Sequence, residues 1–281
     1  MVKLSETEYH SFTGIDEFFH WFEDNQTQDV SRFLINTIGG LPLSGMLKLE
    51  ENSNQLVVFF NGAVNREKYT FEAYQRWSWM VKLPYNILIL ADGTLSEGEF
   101  SLGWGVGRPD SWFIENAGSF LQNFMKKRGF DELQTILYGS SAGGFQAFHC
   151  AMQMKGCTVI MENPQTNVFR YYDHHVSPLL ESIHFGTNEE QIMAKYGIRF
   201  DLIEGVRHSG FVPRTVYVQN VNDSFHYEKH LKPFRQGIDE MKLGLARIEY
   251  ELYEGEKTHS PQGFSFLDSL LKRTYSFISE L

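Results

Sequence analysis

The run Tyr138-Gly139-Ser140-Ser141-Ala142-Gly143-Gly144 follows an apolar, β-like stretch at 135–138 and opens a helix-forming stretch at 145–154. A Gly-x-Ser-x-Gly turn between a strand and a helix reads as a nucleophile elbow, with Ser141 at its tip. The serine there takes a strained backbone conformation, and Gly139 and Gly143 let the chain pass close to its neighbours without Cβ clashes. The helix behind Ser141 turns its unpaired N–H groups and positive dipole end toward the hydroxyl, which suits the oxyanion of acyl transfer. A plain strand-to-helix turn would also use glycine, but the strand–turn–helix setting favours the elbow.

A serine hydroxyl needs a base within hydrogen-bond reach, and the base needs a third group to orient it. With a nucleophile elbow the expected chain order is Ser, then Asp or Glu, then His. Asp223 lies in Asn220-Val221-Asn222-Asp223 after a strand-like run, and His259 lies in Gly255-Glu256-Lys257-Thr258-His259-Ser260-Pro261 after another. His259 would take the Ser141 proton and return one to the leaving group, while Asp223 would fix its tautomer and stabilise the imidazolium. Asp223 could instead cap a helix beginning near His226. His226 and His230 are the alternative bases, and Glu162 is the reserve acid. The oxyanion hole is expected to combine the N–H of Ala142 with that of Ala63 or Gly62, from the turn Phe59-Phe60-Asn61-Gly62-Ala63 after an earlier strand.

These residues must be positioned by alternating elements. Strands are expected at 32–38, 46–50, 55–60, 85–91, 135–138, 157–161, 215–219 and 247–253, and helices at 15–25, 71–79, 111–128, 144–154, 189–196, 227–241 and 262–276. The central runs are apolar nearly throughout, as strands covered on both faces are. The pattern implies an α/β fold with a mostly parallel sheet of about eight strands and right-handed crossovers. Two stretches interrupt it: a Gly-rich loop at 92–110 with Trp104 and Arg108, and a lid-like insertion at 163–213. Loops beyond the carboxyl ends of the strands form the binding crevice, so both read as substrate-shaping elements within one domain spanning 1–281. Ordinary excursions are the alternative.

With 42% hydrophobic residues, including 24 Phe and 13 Tyr, the chain can bury a large core unaided. A net charge of −10, from 35 acidic and 25 basic side chains, argues against nucleic acid or an anionic membrane surface as partner. Residues 1–6 lack the apolar core of a signal peptide and no apolar run is long enough to span a bilayer, so a cytoplasmic location is expected. Cys150 and Cys157 fit buried apolar positions better than a bridge. His174 and His175 beside Asp173 invite a metal reading, but adjacent residues do not easily face one ion, and no metal is expected. Tyr171, Tyr172, Trp104 and Trp112 could stack on a sugar ring or simply belong to the core. The Gly103–Gly107 run lacks the lysine and the strand-to-helix setting of a phosphate loop.

Taken together, Ser141, Asp223 and His259 make the chain resemble an α/β-hydrolase. Phe60-Asn61-Gly62-Ala63, Gly139-Ser140-Ser141-Ala142-Gly143-Gly144 and Asn163-Pro164-Gln165-Thr166 are narrower. They resemble bacterial α/β-hydrolase-fold proteins encoded with capsule and surface-polysaccharide genes, among them the capsular polysaccharide O-acetyltransferases. The similarity runs over positions 55–261 and is thinnest at 168–212. It implies a cytoplasmic enzyme, with no permanently bound cofactor, that moves an acetyl group from acetyl-coenzyme A through Ser141 to a carbohydrate hydroxyl. Asn61, Trp104, Arg108, Asn163 and Gln165 are the expected substrate-binding residues, although Asn163-Pro164 is also a turn signal. A carboxylesterase or deacetylase using the same triad, and a non-catalytic subunit of a glycan assembly system, are the competing functions.

Overall fold

The computed structural model describes residues 7–24, 30–38, 40–243, 247–256 and 259–279. Residues 1–6, read above for a leader, Asn25 at the end of the first expected helix, and Lys257 and Thr258 of the histidine loop lie outside them. Nine strands among the described residues form one sheet: β1 (Glu8–Phe12), β2 (Ser31–Ile38), β3 (Leu41–Lys48), β4 (Leu56–Phe60), β5 (Asn86–Leu90), β6 (Thr135–Ser140), β7 (Thr158–Glu162), β8 (Arg214–Asn220) and β9 (Ile248–Tyr253). Their spatial order is β1-β2-β3-β5-β4-β6-β7-β8-β9. β3 runs antiparallel to β2 and β5, and every other neighbouring pair is parallel. The strand beyond the expected eight is β1, an edge strand in which only Phe12 is buried, so its polar side chains gave no apolar signal.

The helices are α1 (Ile15–Asp24), α2 (Trp77–Met80), α3 (Phe113–Arg128), α4 (Ala142–Ala151), α5 (Asp173–Ile183), α6 (Glu189–Phe200), α7 (Leu202–Ser209), α8 (Ser224–His226), α9 (Lys232–Met241) and α10 (Phe264–Ser279). The segment 163–213 is the β7-to-β8 crossover and carries α5, α6 and α7. Among the described residues, no helix is long and apolar enough to cross a membrane.

Side chains alternate across the central strands. Leu56, Val58 and Phe60 of β4 join the core under α1, α3 and α4, while Val57 and Phe59 join the one under α10. Both faces of β4 are therefore dry, the reason its run reads as continuously apolar. The phenylalanines concentrate in the first layer, where Phe18 and Phe22 of α1 meet Phe120 and Phe124 of α3 at ring-centre distances of 5.4 and 4.9 Å.

The helix expected at 71–79 is reduced to α2. Asn61 and Gln75 capture the polar backbone groups that a longer helix would have used: Asn61 donates to Ala73 O and accepts from Gln75 N, and Gln75 accepts from Gly62 N and donates to Ala63 O. Those side-chain bonds hold 61–76 as a loop over the carboxyl end of β4, where it walls the cavity described next.

Candidate active site

Because β4, β6, β7, β8 and β9 are parallel, the turns leaving all five open on one edge of the sheet. Ser141, between β6 and α4, has φ 57° and ψ −129°, a strained conformation for a residue with a side chain. Its N–H donates to Glu162 O at 3.0 Å, which ties the turn to β7. A Cβ on Gly139 would stand 2.1 Å from Gly143 C and O, and one on Gly143 would stand 2.4 Å from Phe60 O. Only glycine lets α4 approach β4 and β6 this closely. Gly62 N–H is engaged by Gln75, whereas the N–H groups of Ala63 and Ala142 form no hydrogen bond among the described residues.

Asp223 serves two purposes at once. Its Oδ1 accepts from His226 N at 3.2 Å, capping α8, and its Oδ2 lies 3.0 Å from His259 Nδ1 and 2.9 Å from His226 Nδ1. The contact to His259 has hydrogen-bond geometry; the one to His226 is off the N–H direction. The two imidazoles are stacked, with ring centres 3.7 Å apart and planes 3° from parallel. Burial pushes the Asp223 carboxyl up, but the close His226 and His259 rings and the His226 N–H outweigh it and hold the group well below the usual carboxylate range. Burial pushes His226 down, against the opposing pull of Asp223.

Gln165, at the end of the β7 turn, connects this group to Ser141. Trp104 Nε1 donates to Gln165 Oε1 at 3.2 Å, which directs the amide nitrogen toward Ser141 Oγ and His226 Nε2, each at 2.9 Å. Since the amide nitrogen can only donate, His226 Nε2 accepts, and the ring proton is assigned to Nδ1, facing Asp223. Ser141 Oγ also contacts Gln165 Oε1 at 3.1 Å. His259 Nε2 is buried and has no hydrogen-bond partner among the described residues.

Ser141 and His259 line one cavity of about 480 Å³, together with Gly62, Ala63, Gln75, Arg76, Trp79, Ser140, Glu162, Asn163 and the segment 261–263. Arg76, at φ 63°, donates to Ser140 Oγ at 2.8 Å and lies 5.5 Å from the Trp79 ring centre. Glu162 accepts from Tyr138 at 2.7 Å and from Gln262 N; burial pushes its carboxyl up while these bonds pull it down. Asn163, at φ 44°, accepts from Asn220 N and donates to the Tyr253 hydroxyl, joining the ends of β7, β8 and β9.

Of the residues that the sequence singles out, Ser141, His259, Ala63, Gly62 and Asn163 face the cavity. Asp223 and Gln165 stand behind it in contact with His259 and Ser141. Asn61 is turned away to hold the 73–75 segment, Trp104 is fully buried behind Gln165, and Arg108 lies outside the cavity, bonded to Asp110 at 2.8 Å. Gln75, Arg76 and Trp79 were not legible as cavity residues, because 71–79 reads as a helix, and Gln262 because it reads as the start of the helix expected at 262–276.

Asp223, His226 and His259 also group closely enough to suggest a metal. A cation shared by both Nδ1 lone pairs would have to lie in both ring planes. Two near-parallel planes stacked face to face share no such point, so these residues do not fit a shared ion.

No protein-family profile and no curated relative matches the chain. Among solved structures it is similar to the capsule O-acetyltransferase of Neisseria meningitidis serogroup A (TM-score 0.64, 16% identity, 87% of this chain and 96% of that one). A variant of that enzyme in complex with CoA is similar at TM-score 0.61 and 17% identity, over 85% of this chain and 95% of that one. An S-formylglutathione hydrolase from Agrobacterium tumefaciens follows at TM-score 0.57 and 15% identity, over 91% and 97%. The sheet order, the strand-to-helix turn at Ser141 and these likenesses together establish that the chain has the α/β-hydrolase fold.

Proposed function

We propose that Ser141 is the nucleophile of a ping-pong acyl transfer, with His259 as general base and acid and Asp223 as its orienting carboxylate. The observation that carries this reading is the 3.0 Å contact of His259 Nδ1 with Asp223, which leaves the unpartnered Nε2 of a residue that shares Ser141's cavity. In the free enzyme the Ser141 hydroxyl rests on Gln165; rotation about its Cα–Cβ bond exchanges that partner for His259 when an acyl donor binds.

Ser141 Oγ attacks the acyl carbonyl as its proton passes to His259 Nε2, and the N–H groups of Ala142 and Ala63 receive the oxyanion. The carbonyl re-forms, and the leaving thiol or alcohol departs with the proton from His259. An acceptor hydroxyl then gives its proton to His259 and attacks the acyl-serine, and Ser141 recovers the proton as the product ester leaves. Acetyl-coenzyme A as donor and a carbohydrate hydroxyl as acceptor, in a cytoplasmic surface-polysaccharide system, are the substrates and setting we favour, supported by the sequence resemblance and the likeness in fold. Arg76, the one lysine or arginine lining the cavity among the described residues, would meet an anionic group on donor or acceptor. The 163–213 segment would shape the acceptor side.

Incubation with radiolabelled acetyl-coenzyme A is expected to leave label on Ser141 and, with an acceptor glycan, to transfer it. Ser141→Ala should lower turnover by about 10³-fold or more. Rapid hydrolysis of aryl esters without transfer to any alcohol would make the protein an esterase. No labelling of Ser141 by a fluorophosphonate would remove the enzymatic reading.

A further inference from the structure

His226 is a buried histidine that the proposed chemistry does not use, yet it is the most constrained ring in the site. Its Nε2 is held by Gln165 at 2.9 Å and its Nδ1 faces Asp223 at 2.9 Å. His230, Phe225 and Tyr171 surround it at ring-centre distances of 5.2, 5.4 and 5.8 Å. A π-helical turn at Tyr227–Leu231 follows immediately, and His230 within it accepts from Thr166 N at 3.2 Å, tying that turn to the segment that carries Gln165.

His259 is held far less. Its side chain is 28% exposed, its Nε2 is unpartnered, and its one ring hydrogen bond among the described residues is to Asp223. A ring anchored at one nitrogen can still swing about that bond, and its free nitrogen would then change direction relative to the cavity that His259 shares with Ser141. Among the described residues the ring is also restrained by the face of His226, 3.7 Å away and 3° from parallel. We infer that His226 is a positioning residue, a fixed flat plate that sets the plane of His259 and so aims its Nε2 at the nucleophile. The role of His259 rests on the function proposed above, but the restraint on its ring does not.

Two substitutions separate the flat face from everything else His226 does. His226→Phe and His226→Leu both remove the side-chain contacts to Gln165 and Asp223 while the backbone N–H to Asp223 stays, and only the first keeps an aromatic face. The rate constant for fluorophosphonate labelling of Ser141, separated from reagent binding, is expected to agree within about threefold between H226F and H226Y, which both keep an aromatic face, and to fall about 10- to 100-fold further in H226L. Equal rates in folded H226F and H226L would overturn the inference. If H226L fails to fold, the unbranched H226M replaces it in the same comparison.

Proton NMR of histidine-labelled wild-type protein gives an independent readout. The carbon-bound ring protons of His259 should be displaced upfield by the stacked ring, a displacement retained in H226F and lost in H226L. Unshifted His259 resonances in the wild type would refute the restraint whatever the activity. Upfield resonances in a protein that fluorophosphonate never labels would instead leave the restraint standing and reject the proposed function.

Discussion

The serine turn at 139–144 and the loop that follows β9 each carry one half of the proposed chemistry, and they are held in opposite ways. The serine turn is fixed by backbone sterics: Gly139 and Gly143 touch neighbouring main chain where no Cβ fits, and Ser141 is strained because the strands and α4 leave it no alternative. The described residues on either side of His259's loop, 255–256 and 262, are held by polar side chains from elsewhere. Asn220 donates to Glu256 O at 2.7 Å and accepts from Gly255 N at 3.0 Å, Asn222 donates to Gly255 O at 2.7 Å, and Glu162 accepts from Gln262 N. The proposed nucleophile is placed by local shape, whereas the proposed base is placed by hydrogen bonds that exist only once the sheet has formed.

Three measurements would break or sharpen that contrast. Gly139→Ala is expected to be the most damaging, because its Cβ meets main-chain atoms that cannot step aside; thermal or urea unfolding should report a loss of more than about 3 kcal/mol, or no folded protein. Wild-type stability at G139A would show that the turn is not sterically determined.

The second concerns His149 on α4, directly behind the turn. Both its ring nitrogens are buried with no hydrogen-bond partner among the described residues, and burial holds it down at about 3. Its folded value lies below the unfolded one of 6.5, so between those values the unfolded chain binds a proton that the folded chain refuses, and stability falls as pH drops through the window. From pH 6.5 to pH 4 this amounts to roughly 3 kcal/mol. His149→Phe should flatten the wild-type curve over that range in urea titrations at stepped pH, and an unchanged slope would contradict the assignment.

Asn220→Ala gives the smallest change in stability, about 1 to 2 kcal/mol for the loop hydrogen bonds it loses. Its effect on labelling of Ser141 should exceed what that destabilisation explains, because the loop that presents His259 is released. If activity and stability decline in proportion, the loop is held by something other than these bonds.

The parts of the site that the sequence made legible are those whose cause is local. The serine turn could be read because glycine spacing, the apolar run before it and the helix after it lie within about twenty consecutive positions. Asp223 and His259 were reachable from chain order, since each follows a β-like run. The Asp223 cap and its contact to His259, weighed above as rivals, coexist because the carboxylate has two oxygens. Gln165 stood out by position alone; that its amide joins Ser141 to His226 depends on Trp104, 61 residues away in the chain. The loop at 61–76 was misread as helical at its end because nothing in residues 71–79 announces that Asn61 will take the Ala73 carbonyl.

By itself the amino-acid order determined the alternation of elements, the two dry faces of the central strands and the strained turn at Ser141, since backbone sterics and apolar periodicity act over a few residues. Only the tertiary structure decided which imidazole is free and which is locked. That choice depends on Asp223, Gln165, His226 and His259 meeting at one sheet edge, where burial and shared hydrogen bonds distinguish two rings of identical chemistry.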